Sequence, residues 1–449
     1  ICSGDILNEG VDIPGANMII FLRPTESSTV FIQQLGRGLR KYENKPYVTV
    51  LDFIGNSYKR SVQIAFALGN LAQNLVLEKR LMMSLVRDNF SALQLQDYGV
   101  EIHIDDLSKE EIIESLEKEN FNSLSYMKQD YINFKRYIGS EFYPRHMDFL
   151  NNDCAPDLQR FMSIKIAGRK TGCYYSFLAG IDEEDLPVFS DDQIAFLKYV
   201  SSHLNLVRPH EFKIISILQD EPVTCEELNQ RLSIAIDDCT SGEIDHALKY
   251  MENKGVVKIV DNAYSLNVVM DEQFQEHLQD LLTYGLTKYQ AEYDSSTDFI
   301  LWHSYRNDQV QLKLLKNPGD IFKGTYIYGK MVVIFASLKK DSSVEERLNY
   351  KDKFLEPNLF QWESENNIRD KDLQLLQRSE YTYVFVRKVS SENGIVMPFT
   401  FVGRGRLTNP RRQEKIDIST GRPGITYLFD IPLENDLPDY LQYDFGLSN

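Results

Sequence analysis

Apolar positions along this chain follow different periods in different stretches. Near the start, "ANMIIFLRP" (16–24) and "PYVTVLDFIG" (46–55) are short, nearly continuous apolar runs of the kind that form strands buried on both faces. Between them "SSTVFIQQLGRGLRKY" (27–42) has a helical period and opens on a Ser/Thr cap. Strand, helix, strand predicts a parallel α/β sheet over residues 1–56. One such unit cannot cover its own sheet edge, so a fragment is expected, with the preceding part of the domain missing.

From 57 to 200 the pattern is mostly helical. "SVQIAFALGNLAQNLVLEKRLMMSLVRD" (61–88) keeps a helical apolar period, and Ser108-x-x-Glu111 reads as a capping box opening the next helix. This stretch is expected to be a helical connector. Residues 201–269 contain a compact module with clear punctuation. Pro209 starts one helix, and Thr224-x-x-Glu227 and Thr240-x-x-Glu243 start two more. Then "VVKIVDNAYSLN" places a turn at Asp261-Asn262 between two short strands. Three helices and a hairpin predict a winged helix. Residues 270–449 begin helically and then become β-rich and aromatic, in "GTYIYGKMVVIFASL", "YTYVFVRKV" and "PFTFVGRGRL". The fold class is therefore multidomain: α/β, then α, then β.

Composition narrows the function classes. The 449 residues carry a formal charge of −17. Residues 301–449 hold 21 Lys+Arg against 20 Asp+Glu, and the remainder 28 against 46, so the acidity lies outside the last third. An acidic surface repels DNA phosphate, which leaves the neutral last third as the better place for a nucleic-acid contact. No apolar run of about 18 residues predicts a membrane span. Cys2, Cys154, Cys173, Cys225 and Cys239 are odd in number and none is spaced as CxxC, and the seven histidines suggest no ligand cluster with them. Reduced thiols in a cytoplasmic protein are expected, and no metal site.

The chemistry concentrates in "DILNEGVDIPG" and "QQLGRGLR". Arg37 and Arg40 stand three apart on the predicted helix and project to one side, where guanidinium groups can meet the charge of a departing γ-phosphate. Gly36 and Gly38 let the backbone approach closely. The two stretches resemble motifs V and VI of superfamily-2 helicases, in the second, RecA-like motor domain. The resemblance implies that Gly10 and Asp12 contact nucleotide or couple it to DNA. It implies that Gln33, Arg37 and Arg40 face the triphosphate, with either arginine as the finger. No G-x-x-x-x-G-K-[ST] loop occurs in the chain. ATP and Mg2+ are therefore expected only with a first motor domain outside this chain, and the fragment alone should neither bind ATP tightly nor hydrolyse it.

The third helix of the 201–269 module carries Glu243, Asp245 and Glu252 against Lys249 and Lys254, which favours packing over DNA reading. Glu211-x-Lys213 lies on a regular helix and is discounted as a nuclease motif. In the last third, "GTYIYGKMVVIF", "YKDKFLEPNLFQWESEN" and "FTFVGRGR" resemble the C-terminal domain of bacterial helicases that bear an N-terminal phospholipase-D-like nuclease, the SauUSI-like type IV restriction enzymes. That family cuts DNA bearing 5-methyl- or 5-hydroxymethylcytosine. The resemblance implies an SRA-like, barrel-type recognition domain for the modified base, double-stranded DNA as partner, and a homodimer. Trp302, Tyr305, Tyr326, Tyr328, Phe360, Trp362, Glu363 and Ser364 supply the material for an aromatic pocket holding a flipped base, although spacing does not say which of them line it. Arg404, Arg406, Arg411 and Arg412, around an expected Gly/Pro loop, would hold phosphates. No H-x-K nuclease signature occurs, so cleavage is expected of the absent N-terminal part. The alternative keeps the motor and makes the last domain a nuclease or protein-docking module of a repair or phage-defence helicase.

Overall fold

The computed structural model describes residues 13–22, 35–36, 38–43, 45–52, 83, 86–87, 89, 101–118, 123–152, 155–204, 207–236, 239–293, 298–316, 324–339, 351–392, 395–417 and 422–447. The chain divides into two compact units between Ala291 and Glu292.

In the first unit, β1 (Met18–Phe21) and β2 (Thr49–Asp52) pair in parallel, Met18 opposite Thr49 through Phe21 opposite Asp52, as the two apolar runs predict. Phe21 is buried with Ile19, Leu35 and Val50 against it. Most of the 61–88 stretch lies outside the described residues. Among the described residues six helices follow: α1 (Asp106–Lys118), α2 (Leu124–Ile138), α3 (His146–Asn151), α4 (Leu158–Ser163), α5 (Tyr174–Gly180) and α6 (Asp191–Ser202). A tight hairpin, β3 (Lys165–Ile166) with β4 (Arg169–Lys170), lies between α4 and α5. The core of this part is aromatic: Tyr131, Phe134, Phe161, Tyr174 and Phe177 are fully buried.

One cap differs from its sequence reading. Helix α1 begins at Asp106, so Ser108 is inside it. Asp105 takes the cap, accepting from the Ser108 backbone N at 3.0 Å. A carboxylate ahead of the first turn outcompetes a hydroxyl three residues later because it accepts a charge-assisted bond and faces the helix dipole.

The next module contains α7 (His210–Leu218), β5 (Val223–Thr224), α8 (Cys225–Ala235), α9 (Ser241–Asn253), β6 (Val257–Val260) and β7 (Ala263–Leu266). The strands form one antiparallel sheet in the order β5-β7-β6. Thr240 and Glu243 make the full reciprocal capping box of α9. Thr224 caps α8, but Glu227 turns to Arg231 instead of completing the box. Asp261 and Asn262 both have positive φ, 49° and 65°, which is the hairpin turn their dipeptide signals. Glu211 is fully inside, held by Arg208, whose Nε lies 3.0 and 3.1 Å from the two carboxylate oxygens. Burial alone would raise the Glu211 pKa, and the Arg208 guanidinium brings it below the ordinary value. It is an internal counter-ion, in keeping with its dismissal as a nuclease residue. The long helix α10 (Glu272–Glu292) buries Phe274, Leu278, Leu281 and Leu282 in this first unit's core, although the pattern groups it with the β-rich segment.

The second unit is built on two sheets. One is mixed, ordered β8 (Ser304–Tyr305), β16 (Phe399–Gly405), β13 (Tyr381–Arg387), β10 (Met331–Ser337), β9 (Thr325–Tyr328), with β10 and β13 parallel. The other is antiparallel, ordered β11 (Lys353–Glu356), β12 (Leu359–Glu363), β18 (Arg422–Pro432), β17 (Thr408–Asp417). A small hairpin, β14 (Ser391–Glu392) with β15 (Ile395–Val396), and helices α11 (Asn307–Lys313), α12 (Asp370–Gln377) and α13 (Asp439–Phe445) complete it. The sheets share a bridge, Gly405 to Leu433, yet among the described residues they remain two open sheets and do not close into one barrel. Val332, Ile334, Val384 and Val402 of the first join Phe360, Trp362, Phe429 and Ile431 of the second in one core. No described helix is long and apolar enough to cross a membrane.

Candidate nucleotide-facing and DNA-facing sites

Of the residues expected to serve a motor, Gly10, Asp12, Gln33 and Arg37 lie outside the described residues. Arg40 is described and exposed. Around it, Lys45 extends its ammonium to three backbone carbonyls: Pro14 at 2.7 Å, Gly38 at 2.5 Å and Arg40 at 2.9 Å. One side chain thus ties the end of the "VDIPG" segment to the end of the arginine segment. Sequence reasoning missed Lys45 because nothing in its neighbours marks it. Gly38 is needed for packing: a Cβ there would sit 2.2 Å from Ile19 Cδ1 on β1. Gly36 has open space, so its expected close approach is not made within the described surroundings.

In the β-rich unit the expected pocket residues separate onto different faces. Phe360 and Trp362 face the core between the sheets and serve there as packing. Glu363 points the other way and is also buried; it accepts from Thr426 Oγ1 at 2.6 Å and from the Lys351 backbone N at 2.7 Å. Ser364 Oγ accepts from the Tyr427 backbone N at 2.9 Å. These two polar groups stitch β12 to its neighbours, and period-2 alternation alone could not say which face each residue would take. Trp302 packs against the same core and has φ 65°, an unusual value for a large side chain, with its N–H donating to Phe401 O at 2.9 Å.

The opposite face of the five-stranded sheet carries a buried aromatic cluster. Phe299 lies at its centre, with ring centroids 5.1 to 5.5 Å from Tyr305, Tyr383, Phe385 and Phe401. Tyr305 is buried, its hydroxyl accepting from the Ile300 N–H at 2.9 Å, and burial pushes its pKa up to about 12. At the β9 edge Tyr326 and Tyr328 are half-buried, their rings 6.1 Å apart and within 17° of parallel. Tyr326 OH donates to Asn307 Oδ1 at 3.3 Å, and Gln311, bonded to the same Asn307 oxygen, approaches that hydroxyl at 3.4 Å. The Lys316 ammonium stands 5.1 Å from the Tyr328 ring centre. Stacking planes, two amides and a cation are thus assembled at one edge. Asn307, Gln311 and Lys316 escaped sequence reading because the segment around α11 reaches this edge only through tertiary packing.

The four arginines sit mainly on strands, not in an open loop. Arg404 is on β16, and Arg411 and Arg412 are on β17. Asn409, with φ 49°, and the register shift between Thr408 and Arg411 absorb the Pro410 that suggested a loop. Arg411 grips Asp430 through both terminal nitrogens, at 2.5 and 2.6 Å, and so holds the Asp430 carboxyl below its ordinary pKa. Arg404 pairs with Glu434 at 2.9 Å and Arg412 with Glu414 at 2.8 Å. Arg406, in the short link between β16 and β17, is exposed and has no ion pair among the described residues.

The fold also brings one cysteine against a histidine and a glutamate. His210 Nε2 lies 3.3 Å from Cys239 Sγ, and Glu243 joins them with all three donor atoms within 4.8 Å of one another. Thiol and imidazole meet through the packing of α7 against the start of α9, which their separation in sequence conceals.

Three family models match the chain: "Helicase conserved C-terminal domain" at residues 1–42, "Domain of unknown function (DUF8090)" at 127–292, and "Domain of unknown function (DUF3427)" at 299–445. A Saccharomyces cerevisiae protein named as an ATP-dependent helicase, IRC3, is 44% identical over 52 residues, which is 12% of this chain and 8% of that one. A solved structure of the MspJI restriction endonuclease with a 27-mer oligonucleotide aligns at 13% identity and a TM-score of 0.21, over 28% of this chain and 37% of that one. So loose a likeness carries no argument. The chain spans only a small part of the helicase relative. Its first 42 residues nonetheless match a helicase C-terminal domain, and the two matched stretches that follow have no assigned function.

Proposed function

We propose that this chain is the C-terminal part of an ATP-dependent restriction enzyme and that its β-rich unit reads modified cytosine in DNA. The single observation that carries the reading is the Tyr326–Tyr328 edge with Asn307, Gln311 and Lys316, in the same chain as a helicase C-terminal segment. A base leaving the stack meets parallel aromatic planes there. The side-chain amides offer partners to the Watson–Crick edge of cytosine, and the ring faces give the added methyl an apolar contact. A methyl group in an apolar pocket is worth only about 1–3 kcal/mol, so discrimination needs such close contact. Phe360 and Trp362 support this surface from the core, while Tyr305 and Trp302 shape the neighbouring strand ends.

In the motor, Arg37 and Arg40 act from the second lobe on a triphosphate held by a partner lobe, and Gly10, Asp12 and Gln33 serve the same nucleotide. ATP and Mg2+ bind when that lobe is present, and cleavage belongs to a nuclease domain elsewhere in the enzyme. The 201–269 module acts as a winged helix used for packing. The test compares binding of this chain to matched duplexes with and without 5-methylcytosine at moderate salt. A preference of about 5- to 100-fold for the modified duplex is expected. Equal affinity would overturn the reading and favour a nuclease or docking role for the last domain.

A further inference from the structure

The cluster of His210, Cys239 and Glu243 is used by neither the motor nor the β-rich unit. We propose that these three side chains bind a zinc ion, which clamps the start of α7 to the start of α9. The inference is independent of the function proposed above.

The donor set is a nitrogen, a sulfur and a carboxylate oxygen, the three ligand types zinc accepts. A tetrahedral zinc ion, with bonds of about 2.0–2.3 Å, holds neighbouring donors roughly 3.5 Å apart. The 3.3 Å between His210 Nε2 and Cys239 Sγ is already close to that spacing. All three donors converge within 4.8 Å, so a small shift of the carboxylate completes the set. Softer sulfur and imidazole donors disfavour magnesium and calcium, which prefer oxygen throughout.

The positions of the ligands are fixed by structure made for other reasons. His210 is buried at the first position of α7, directly after Pro209, so its ring has little freedom. Cys239 precedes the N-cap of α9 and Glu243 lies in its first turn. The Thr240 backbone N and Oγ1 both donate to Glu243 Oε2 at 2.8 Å. The capping box therefore orients the carboxylate, as outer partners orient the ligands of metal sites. Cys239 and Glu243 are half-buried, which leaves a path for the ion. On binding, the thiol proton passes to solvent and the thiolate, imidazole and carboxylate take three positions. The fourth is open to water.

The experiment titrates the full chain, reduced and stripped with chelator, with Co2+ as spectroscopic probe and then with Zn2+. One ion per chain is expected. Cobalt should give a thiolate charge-transfer band and the visible bands of a tetrahedral site, both abolished when zinc displaces it. Cys239→Ser should remove the charge-transfer band, Cys225→Ser should keep it, and Glu243→Gln, which preserves the helix cap, should weaken affinity at least about tenfold. A wild-type chain that takes up no ion, or whose cobalt spectrum lacks the thiolate band, would overturn the proposal. So would a spectrum that Cys239→Ser and Glu243→Gln both leave unchanged. A wild-type chain that binds no ion settles the question against the site even if a variant fails to fold.

Discussion

His146 and Asp280 meet across the helical core: Nδ1 of the ring lies 2.7 Å from Asp280 Oδ2, and the His146 backbone N–H donates to the same oxygen at 2.7 Å. Burial alone would raise the Asp280 pKa, but these bonds hold it below the ordinary value. Its contribution to stability is present at neutral pH and is lost only under strong acid.

The third member of that group, His277, behaves differently. It is packed among His146, Tyr143, Tyr175 and Phe189, and burial, with His146 nearby, lowers its pKa to about 3. The unfolded chain takes up a proton near pH 6.5, whereas the folded chain refuses it until about pH 3. Stability is therefore full above 6.5 and falls as pH drops through that window, by up to about 1.4 kcal/mol per pH unit. Thermal unfolding of the first unit between pH 7 and 5 should show the fall, and His277→Phe should flatten it. A wild-type midpoint unchanged over that range would refute the assignment.

Gly405 marks the place where the two sheets of the second unit touch. A Cβ there would sit 2.3 Å from Pro432 O, a backbone atom that cannot swing away. Gly405→Ala should cost about 1–3 kcal/mol of stability in that unit, read by urea unfolding. Gly38→Ala should be milder, since the atom it meets is the flexible end of Ile19.

Tyr326 and Trp362 should separate recognition from packing. Tyr326→Ala is expected to lose the preference for modified duplex with little change in unfolding. Trp362→Ala should instead destabilise the unit by about 3–5 kcal/mol, as deletion of a buried indole does. Competition binding alongside unfolding of both variants checks the pair.

Arg406 and Arg411 should also differ. Arg406→Gln removes an exposed cation with no described ion pair and should weaken duplex binding irrespective of sequence, lowering the log–log salt slope by about 1. Arg411→Gln should disturb β17 first, because Asp430 loses its bidentate partner.

Lys45 gives a test of the motor. If the proposed motor role holds, Lys45→Met in the full-length enzyme should leave its circular dichroism unchanged and slow ATP turnover by about 10- to 100-fold, since the two segments proposed to face nucleotide lose the tie that Lys45 makes between Pro14, Gly38 and Arg40. Unaltered turnover would show that the tie is dispensable.

What the sequence discloses here is what depends on near neighbours. Thr240 and Glu243 find each other three residues apart, and Asp261-Asn262 makes its turn from its own backbone preferences. The parallel pairing of β1 and β2 follows from continuous apolar runs. Features that depend on distant packing were not legible. Alternation along "LFQWE" shows that two faces exist but not that Trp362 turns inward. Pro410 looks like a loop breaker until a bulge accommodates it. The meeting of His210 with Cys239 exists only after α7 and α9 pack.

The parallel pairing of β10 with β13 has a consequence for how the second unit can be handled. Residues 338–380, which separate those strands, include β11 and β12, and these belong to the other sheet and await β18 at the far end of the chain. The two layers are interleaved, so neither is contiguous along the polypeptide. Closing such distant pairings comes late in folding. Proteolytic nicking or truncation inside 338–380 should therefore yield no half that survives alone, and the unit should melt as one cooperative block.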